Sequence, residues 1–202
     1  MRKLMFIIVS ALALVCLLVP YLMSARLSAE IDAMSSSGHD LFSLQVQNRV
    51  EHEANAAVPL VDGSSCSNTL EYVRKLIEQT GGSDADKFYR AAGQWVIALN
   101  VPEDAPDVFP VMFSANFDPS VLPREWDGEM DAIRHLEVKP IGGVDLPNCL
   151  SGNRVFVICK GGAAQMCDAR YLTLLSLFHI PYKLPENACF LTPVGKVWPR
   201  KD

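Results

Sequence analysis

The sequence predicts an α+β protein, helices first and then an antiparallel sheet of about four strands. Three observations carry that expectation. An uncharged apolar run, LMFIIVSALALVCLLVPYLM, fills positions 4–23. Helical spacing of apolar residues recurs after it as far as Gly81-Gly82. From Trp95 onward, short segments rich in β-formers alternate with Pro and Gly.

The apolar run comes first in chain order. As a helix it would span about 30 Å, the thickness of a bilayer's hydrocarbon core, whereas a cleavable signal peptide has an apolar part of about 7–15 residues. An uncleaved membrane anchor is therefore expected. Arg2 and Lys3 precede the run, which favours a cytoplasmic N-terminus and places everything after Met23 on the far side, periplasmic or extracellular. Two cleavage readings compete. A lipoprotein site needs a small residue before its cysteine, but Cys16 follows Val15 in mid-run. Signal peptidase needs small residues one and three positions before its cut, and Leu27-Ser28-Ala29 meets half of that. Pro20 is compatible with a membrane helix.

Residues 1–33 read as membrane anchor and helical stalk, and 34–202 as one exported α+β head. Net charge is -5 and the pI near 5.4, so no basic field invites nucleic acid. Five cysteines follow the anchor: Cys66, Cys149, Cys159, Cys167 and Cys189. In an oxidising compartment such a set predicts at least one disulfide and leaves at least one thiol over. Cys66, Cys149 and Cys189 are the favoured long-range partners. For Cys159 and Cys167, a two-residue turn at Gly161-Gly162 puts them on opposite faces and a three-residue turn leaves them diagonal.

Within the head, Ser35-Ser36-Ser37-Gly38 interrupts the first helix, and a second runs from Asp40 through Leu41, Leu44, Gln45, Asn48 and His52. Asn68, three residues before Glu71, opens a helix. Leu70, Val73, Leu76 and Ile77 form its apolar face, and Gly81-Gly82 stops it. Trp95 to Val101 and Val108 to Asn116 read as antiparallel strands across a Pro-rich turn. Asp118 to Pro147 reads as an irregular excursion, Arg154 to Asp168 as a hairpin turning at Gly161-Gly162, and Tyr171 to Phe178 as a short helix.

Several of these segments together resemble a family. Leu17-Leu18-Val19-Pro20 with Ser24-Ala25-Arg26 ends the apolar helix. Phe88-Tyr89-Arg90-Ala91-Ala92-Gly93-Gln94-Trp95 follows, then Asp104-Ala105-Pro106-Asp107-Val108-Phe109-Pro110-Val111-Met112-Phe113, and later Lys160-Gly161-Gly162 and Arg170-Tyr171-Leu172. Their order and spacing over about half the chain resemble the type IV pilin-like proteins, or type II secretion system pseudopilins, of Verrucomicrobia, Lentisphaerae and relatives. The resemblance implies a long hydrophobic N-terminal helix carrying a head with an antiparallel sheet. It implies a non-enzymatic structural role in assembly of a secretion or pilus-type system, or in surface adhesion, with the membrane and other pilin-like subunits as partners. One hallmark departs. Pilin-like proteins begin Gly-Phe-Thr-Leu-Ile-Glu, and here Lys3 falls where that Glu would stand. Either the start is truncated or misassigned, or the chain is a divergent member, held in the membrane as an accessory or cap.

No catalytic, cofactor-binding or metal set emerges. The double glycines lack the Lys and Ser/Thr of a phosphate loop and read as turns. His39, His52, His135 and His179 fall in separate segments. Glu125, Asp127, Glu129 and Asp131 recur at every second position, which suits a solvated face or a calcium loop. Ser64, Ser65 and Cys66 offer nucleophiles with no elbow motif or recognisable base. Trp126 and Trp198 read as core or as exposed interface aromatics. The alternative to the pilin-like reading is a membrane-anchored periplasmic enzyme or ligand-binding domain, betrayed by a deep cleft with converging His, Asp or Cys.

Overall fold

A single helix, α1, runs from Arg2 to Ala54, about 80 Å at 1.5 Å per residue. The structure is a computed structural model describing residues 2–81, 84–129, 135–144, 146–150 and 154–200, with side chains described from Val15. Among the described residues no helix is long and apolar enough to cross a membrane; residues 4–14 of the apolar run lie outside those whose side chains are described.

The expected break at Ser35 to Gly38 does not occur, and α1 is continuous through it. Its physical reason lies in the first strand, β1 (Trp95–Leu99). Trp95 is fully buried, and its indole N–H donates to Ser37 Oγ at 3.0 Å. A Cβ on Gly38 would stand 2.4 Å from the Trp95 ring. The small residues are thus a seat for an aromatic ring. Packing of this kind outweighs the roughly 1 kcal/mol that glycine costs a helix interior.

Two shorter helices flank α1. In α2 (Thr69–Thr80) the Asn68 side chain caps the first turn by accepting from Glu71 N at 2.9 Å, as its spacing predicts. Its buried face is Thr69, Tyr72, Val73, Leu76 and Ile77. Leu70 is exposed, a correction: in the first turn of α2 it lies at the edge of that face, about 90° from its centre. The sequence reading had no helix at α3 (Ala85–Ala92); its Lys87 reaches Asp40 of α1 at 2.7 Å.

The sheet is antiparallel, as expected, but larger: six strands in the order β5-β4-β2-β1-β7-β8, against about four predicted. These are β1 (Trp95–Leu99), β2 (Pro110–Ser114), β4 (Arg154–Cys159), β5 (Ala164–Asp168), β7 (Cys189–Thr192) and β8 (Gly195–Val197). A separate two-stranded ladder joins β3 (Glu125–Trp126) to β6 (Tyr182–Lys183). One face of the large sheet, with Trp95, Ile97, Met112 and Ile158, packs under α1, α2 and α3. The other, with Val96, Phe113, Val157 and Phe190, packs against Trp126, Tyr182 and the short helix α4 (Leu174–Phe178). Covering on both faces explains why WVIAL and RVFVIC read as continuous apolar runs rather than alternating ones.

The β4–β5 turn settles the cysteine question there. Cys159 N donates to Ala163 O at 2.9 Å, which makes a three-residue turn, and Cys167 lies opposite Val155. Cys159 and Cys167 therefore share a face four residues apart along the ladder, on the order of 13 Å, far beyond disulfide reach. Gln165 lies between them, its Nε2 3.2 Å from Cys159 Sγ. All six cysteines carry free thiols, so the expected disulfide is not formed. Cys66 and Cys149 sit elsewhere, each with its Sγ 3.7 Å from a backbone carbonyl, of Asp62 and Glu30 respectively.

Candidate functional site

The surface that sets this molecule apart is the first half of α1. From Val15 to Met23 every residue is exposed, Leu17 at 74 % and Tyr21 at 70 %. Burial begins at Leu27 and Ile31, and is complete at Met34, Leu41 and Leu44. An exposed apolar patch so continuous marks a surface that meets lipid or protein.

Where the helix leaves the head, one carboxylate fastens it. Glu30 Oε2 accepts from Cys149 N at 2.9 Å, and Oε1 from Arg26 Nε at 3.1 Å. Above this point α1 exchanges polar contacts with successive levels of the head. Ser37 meets Trp95, Gln45 Nε2 lies 3.5 Å from Met112 Sδ, and the Asn48 carboxamide pairs with Pro59 O and Val61 N. His52 Nδ1 donates to Val58 O at 2.7 Å. The helix therefore runs in the same direction as β1.

Two of the resemblance-bearing segments prove to be one structure. Lys160 Nζ donates to the carbonyls of Glu103 and Ala105, Lys160 N to Phe109 O at 2.8 Å, and Gly161 N to Asp107 O at 2.8 Å. A Cβ on Gly161 would stand 2.8 Å from Asp107 Cβ, so only glycine lets these turns dock. Phe42 of α1 lies beside Gly162. The junction is a clasp of backbone groups around one ammonium.

No family model matches the chain, and no curated protein or solved structure matches it either.

The other sequence candidates disperse. Glu125 pairs with Lys183 at 2.7 Å, Asp127 Oδ1 accepts from Glu129 N at 3.0 Å, and Asp131 lies outside the described residues. Among the described residues no three His, Cys, Asp or Glu side chains gather as a metal site. His39 is exposed on α1, His135 bridges to Thr173, and His179 ends α4 in a left-handed conformation. Ser64 N donates to Asp62 Oδ1 at 2.8 Å, an Asx turn, and Ser64 Oγ donates to Asp62 Oδ2 at 2.6 Å; these hydrogen bonds hold Asp62 below the usual carboxylate range. That carboxylate is a poor base. Burial pushes the thiols of Cys149, Cys159, Cys167 and Cys189 up, away from thiolate chemistry. Gly81 caps α2, while Gly82 lies outside the described residues. Gly161-Gly162 forms part of the β4–β5 turn. The two tryptophans divide: Trp126 is buried and Trp198 is 55 % exposed. A recess lined by Ala98, Phe109, Phe178 and Phe190 holds about 10 Å³, room for one water at most, against the roughly 300–1,000 Å³ of a ligand pocket.

What sequence reasoning missed at Glu30, Gly38 and Lys160 is the partner of each. Each acts on a partner more than fifty positions away, and no local pattern signals such a partner.

Proposed function

We propose that the chain is a membrane-anchored, pilin-like structural protein, with its N-terminus in the cytoplasm and its head outside, working in a secretion or pilus-type assembly or in surface adhesion. The observation that carries this reading is the division of α1. One continuous helix has an apolar stretch that is exposed from Val15 to Met23, among the described side chains, and a later part built into the head against an antiparallel sheet. A helix of that kind delivers a rigid head to a fixed height above a membrane.

Lys3 stands where a pilin-like subunit has its Glu. A carboxylate there would neutralise a charge among neighbouring helices, and an unpaired charge in hydrocarbon costs several kcal/mol. The protein therefore acts as an accessory or cap rather than as the repeating subunit of a filament. A reporter active only outside the cytoplasm, fused after Asp202, tests the topology, with activity expected. Detergent extracts should contain small oligomers. Long sheared filaments of this chain alone, or a reporter silent outside the cytoplasm, would overturn the reading.

A further inference from the structure

We infer that the head rests on the lipid headgroups around its own anchor, with Tyr171 and the guanidinium groups of Arg26, Arg154 and Arg170 at the level of the lipid phosphates. The inference rests on the membrane-anchored reading above and adds a polar membrane contact to the apolar one.

A chain of contacts fixes which end of the head faces the bilayer. Glu30 accepts from Cys149 N, and the neighbouring Leu150 O and Arg154 O both accept from the Asn116 carboxamide, at 3.2 and 2.6 Å. Arg154 lies opposite Asp168 in the β4–β5 ladder, and the Asp168 carboxylate takes both the backbone N–H and the guanidinium of Arg170. Tyr171 follows, 68 % exposed, with the Arg170 guanidinium 5.6 Å from its ring centre. All these groups gather where α1 enters the head.

Height along α1 brings that end to the headgroups. Glu30 is seven residues past Met23, about 10 Å at 1.5 Å per residue, and the headgroup layer beyond the hydrocarbon is about 5–8 Å thick. Arg26 falls inside that layer, and the ordinary tilt of a membrane helix, about 20°, lowers the β5 side onto it. The gap has no room for a folded partner, which leaves lipid as the occupant. Side-chain chemistry agrees. Tyrosine favours the membrane interface, and arginine is drawn to anionic lipid. Arg26 and Arg170 are largely exposed, while the carboxylates beside them, Glu30 and Asp168, are already paired within the group. Glu137 and Lys139, exposed nearby, offset each other. The far end is different, because the loop from β1 to β2 exposes Glu103, Asp104 and Asp107, and carbonyls enclose the ammonium of Lys160. An anionic surface attracts one end of the head and repels the other.

The test uses the full-length chain in nanodiscs of phosphatidylcholine and phosphatidylglycerol that include a lipid with a gadolinium chelate on its headgroup. The amide signals of Asp168 and Ala169 should broaden, while that of Gly161 at the far end stays sharp. The variant carrying Arg154→Gln, Arg170→Gln and Tyr171→Ser should show about threefold less broadening at Ala169, as attraction to the anionic surface is lost, with the Trp95 indole signal unchanged. Nanodiscs of phosphatidylcholine alone make the same comparison without a substitution, and broadening there should also fall. Broadening at Gly161 equal to that at Ala169, or broadening at Ala169 indifferent to both changes, overturns the inference. Flotation of the chain with vesicles reads the anchor separately. A chain that floats without broadening at Ala169 keeps its anchor and loses this contact, and one that does not float loses both.

Discussion

The two halves of α1 are both rich in apolar residues, yet Leu17 is 74 % exposed and Leu41 fully buried. What separates them is the material between the hydrophobes. The docked half interleaves Ser37, Gly38, Gln45, Asn48 and His52, and each meets a group of the head. Val15 to Met23 has only Cys16, Pro20 and Tyr21 among aliphatic residues. Hydrophobic burial is non-directional, so apolar content alone fits a helix to lipid as well as to a protein core. Polar and small residues at defined positions fit it to one partner.

The largest effects should come from breaking the docked half. Trp95→Ala is expected to destabilise the head by about 3–5 kcal/mol, the range for removing a buried aromatic, in urea unfolding of detergent-solubilised protein. Gly38→Ala is the sharper case because two effects oppose. Alanine gains about 1 kcal/mol of helix propensity over glycine, while its Cβ, 2.4 Å from the Trp95 ring, costs about 1–3 kcal/mol of overpacking. Net destabilisation is expected in the intact chain. In the variant that also carries Trp95→Ala, Gly38→Ala should become stabilising. A stabilised Gly38→Ala in the intact chain would mean that the ring is not seated on the helix.

Next in size, a charge in the projecting half should act on membrane retention and leave the head alone. Leu17→Asp carries an insertion penalty of up to about 3 kcal/mol, so more chain should appear in the carbonate-soluble fraction, with the head's urea midpoint unchanged. Cys16 adds a second readout in the unsubstituted chain. It should resist a membrane-impermeant maleimide in sealed membranes and react in dodecyl sulfate, where all six thiols should be modified. A head destabilised by Leu17→Asp would show that the two halves are not separable.

How far this division was legible depends on the range of the interactions. The α2 cap could be read because Asn68 and Glu71 are three residues apart, and β1 and β4 because burial on both faces leaves an apolar run. The exposed run of α1 was plain from its lack of charge. Ser35 to Gly38 was misread as a break because small polar residues usually end helices, and the ring that reverses this lies 58 positions further on. β7 and β8 were missed because Pro193 and Gly195 divide a segment whose strands have four and three residues. The clasp at Lys160 joins two turns that looked independent. Its halves were visible as motifs, and their meeting was not.

At the boundary between the halves, Glu30→Ala should cost about 1.5 kcal/mol, the worth of hydrogen bonds to a charged group. Amide exchange should rise at Cys149, whose N–H loses its acceptor, and in the turn of α1 around Ile31. Unchanged exchange at Cys149 would mean that the boundary lies elsewhere on the helix.

The smallest expected effect sets a contact made within one helix turn against these long-range ones. Glu71 receives the hydroxyl and N–H of Ser67 and lies 3.3 Å from Lys75. These hydrogen bonds, Ser67's first, lower its pKa from 4.5 to about 2. A carboxyl depressed in the folded state contributes stability that is complete above its unfolded value and is lost as the pH falls through its folded one. The contribution is thus present above about pH 4.5 and gone below about pH 2. A carboxyl carbon titration should give a midpoint near 2 for Glu71, and Ser67→Ala should move it upward. Acid should loosen the first turn of α2, seen as faster exchange at Ser67 N, while the Trp95 indole stays seated on Ser37, because neither of those groups titrates. A Glu71 midpoint at 4.5 in the folded protein, or indole release in step with it, would show that the α2 cap is not independent of the α1 seam.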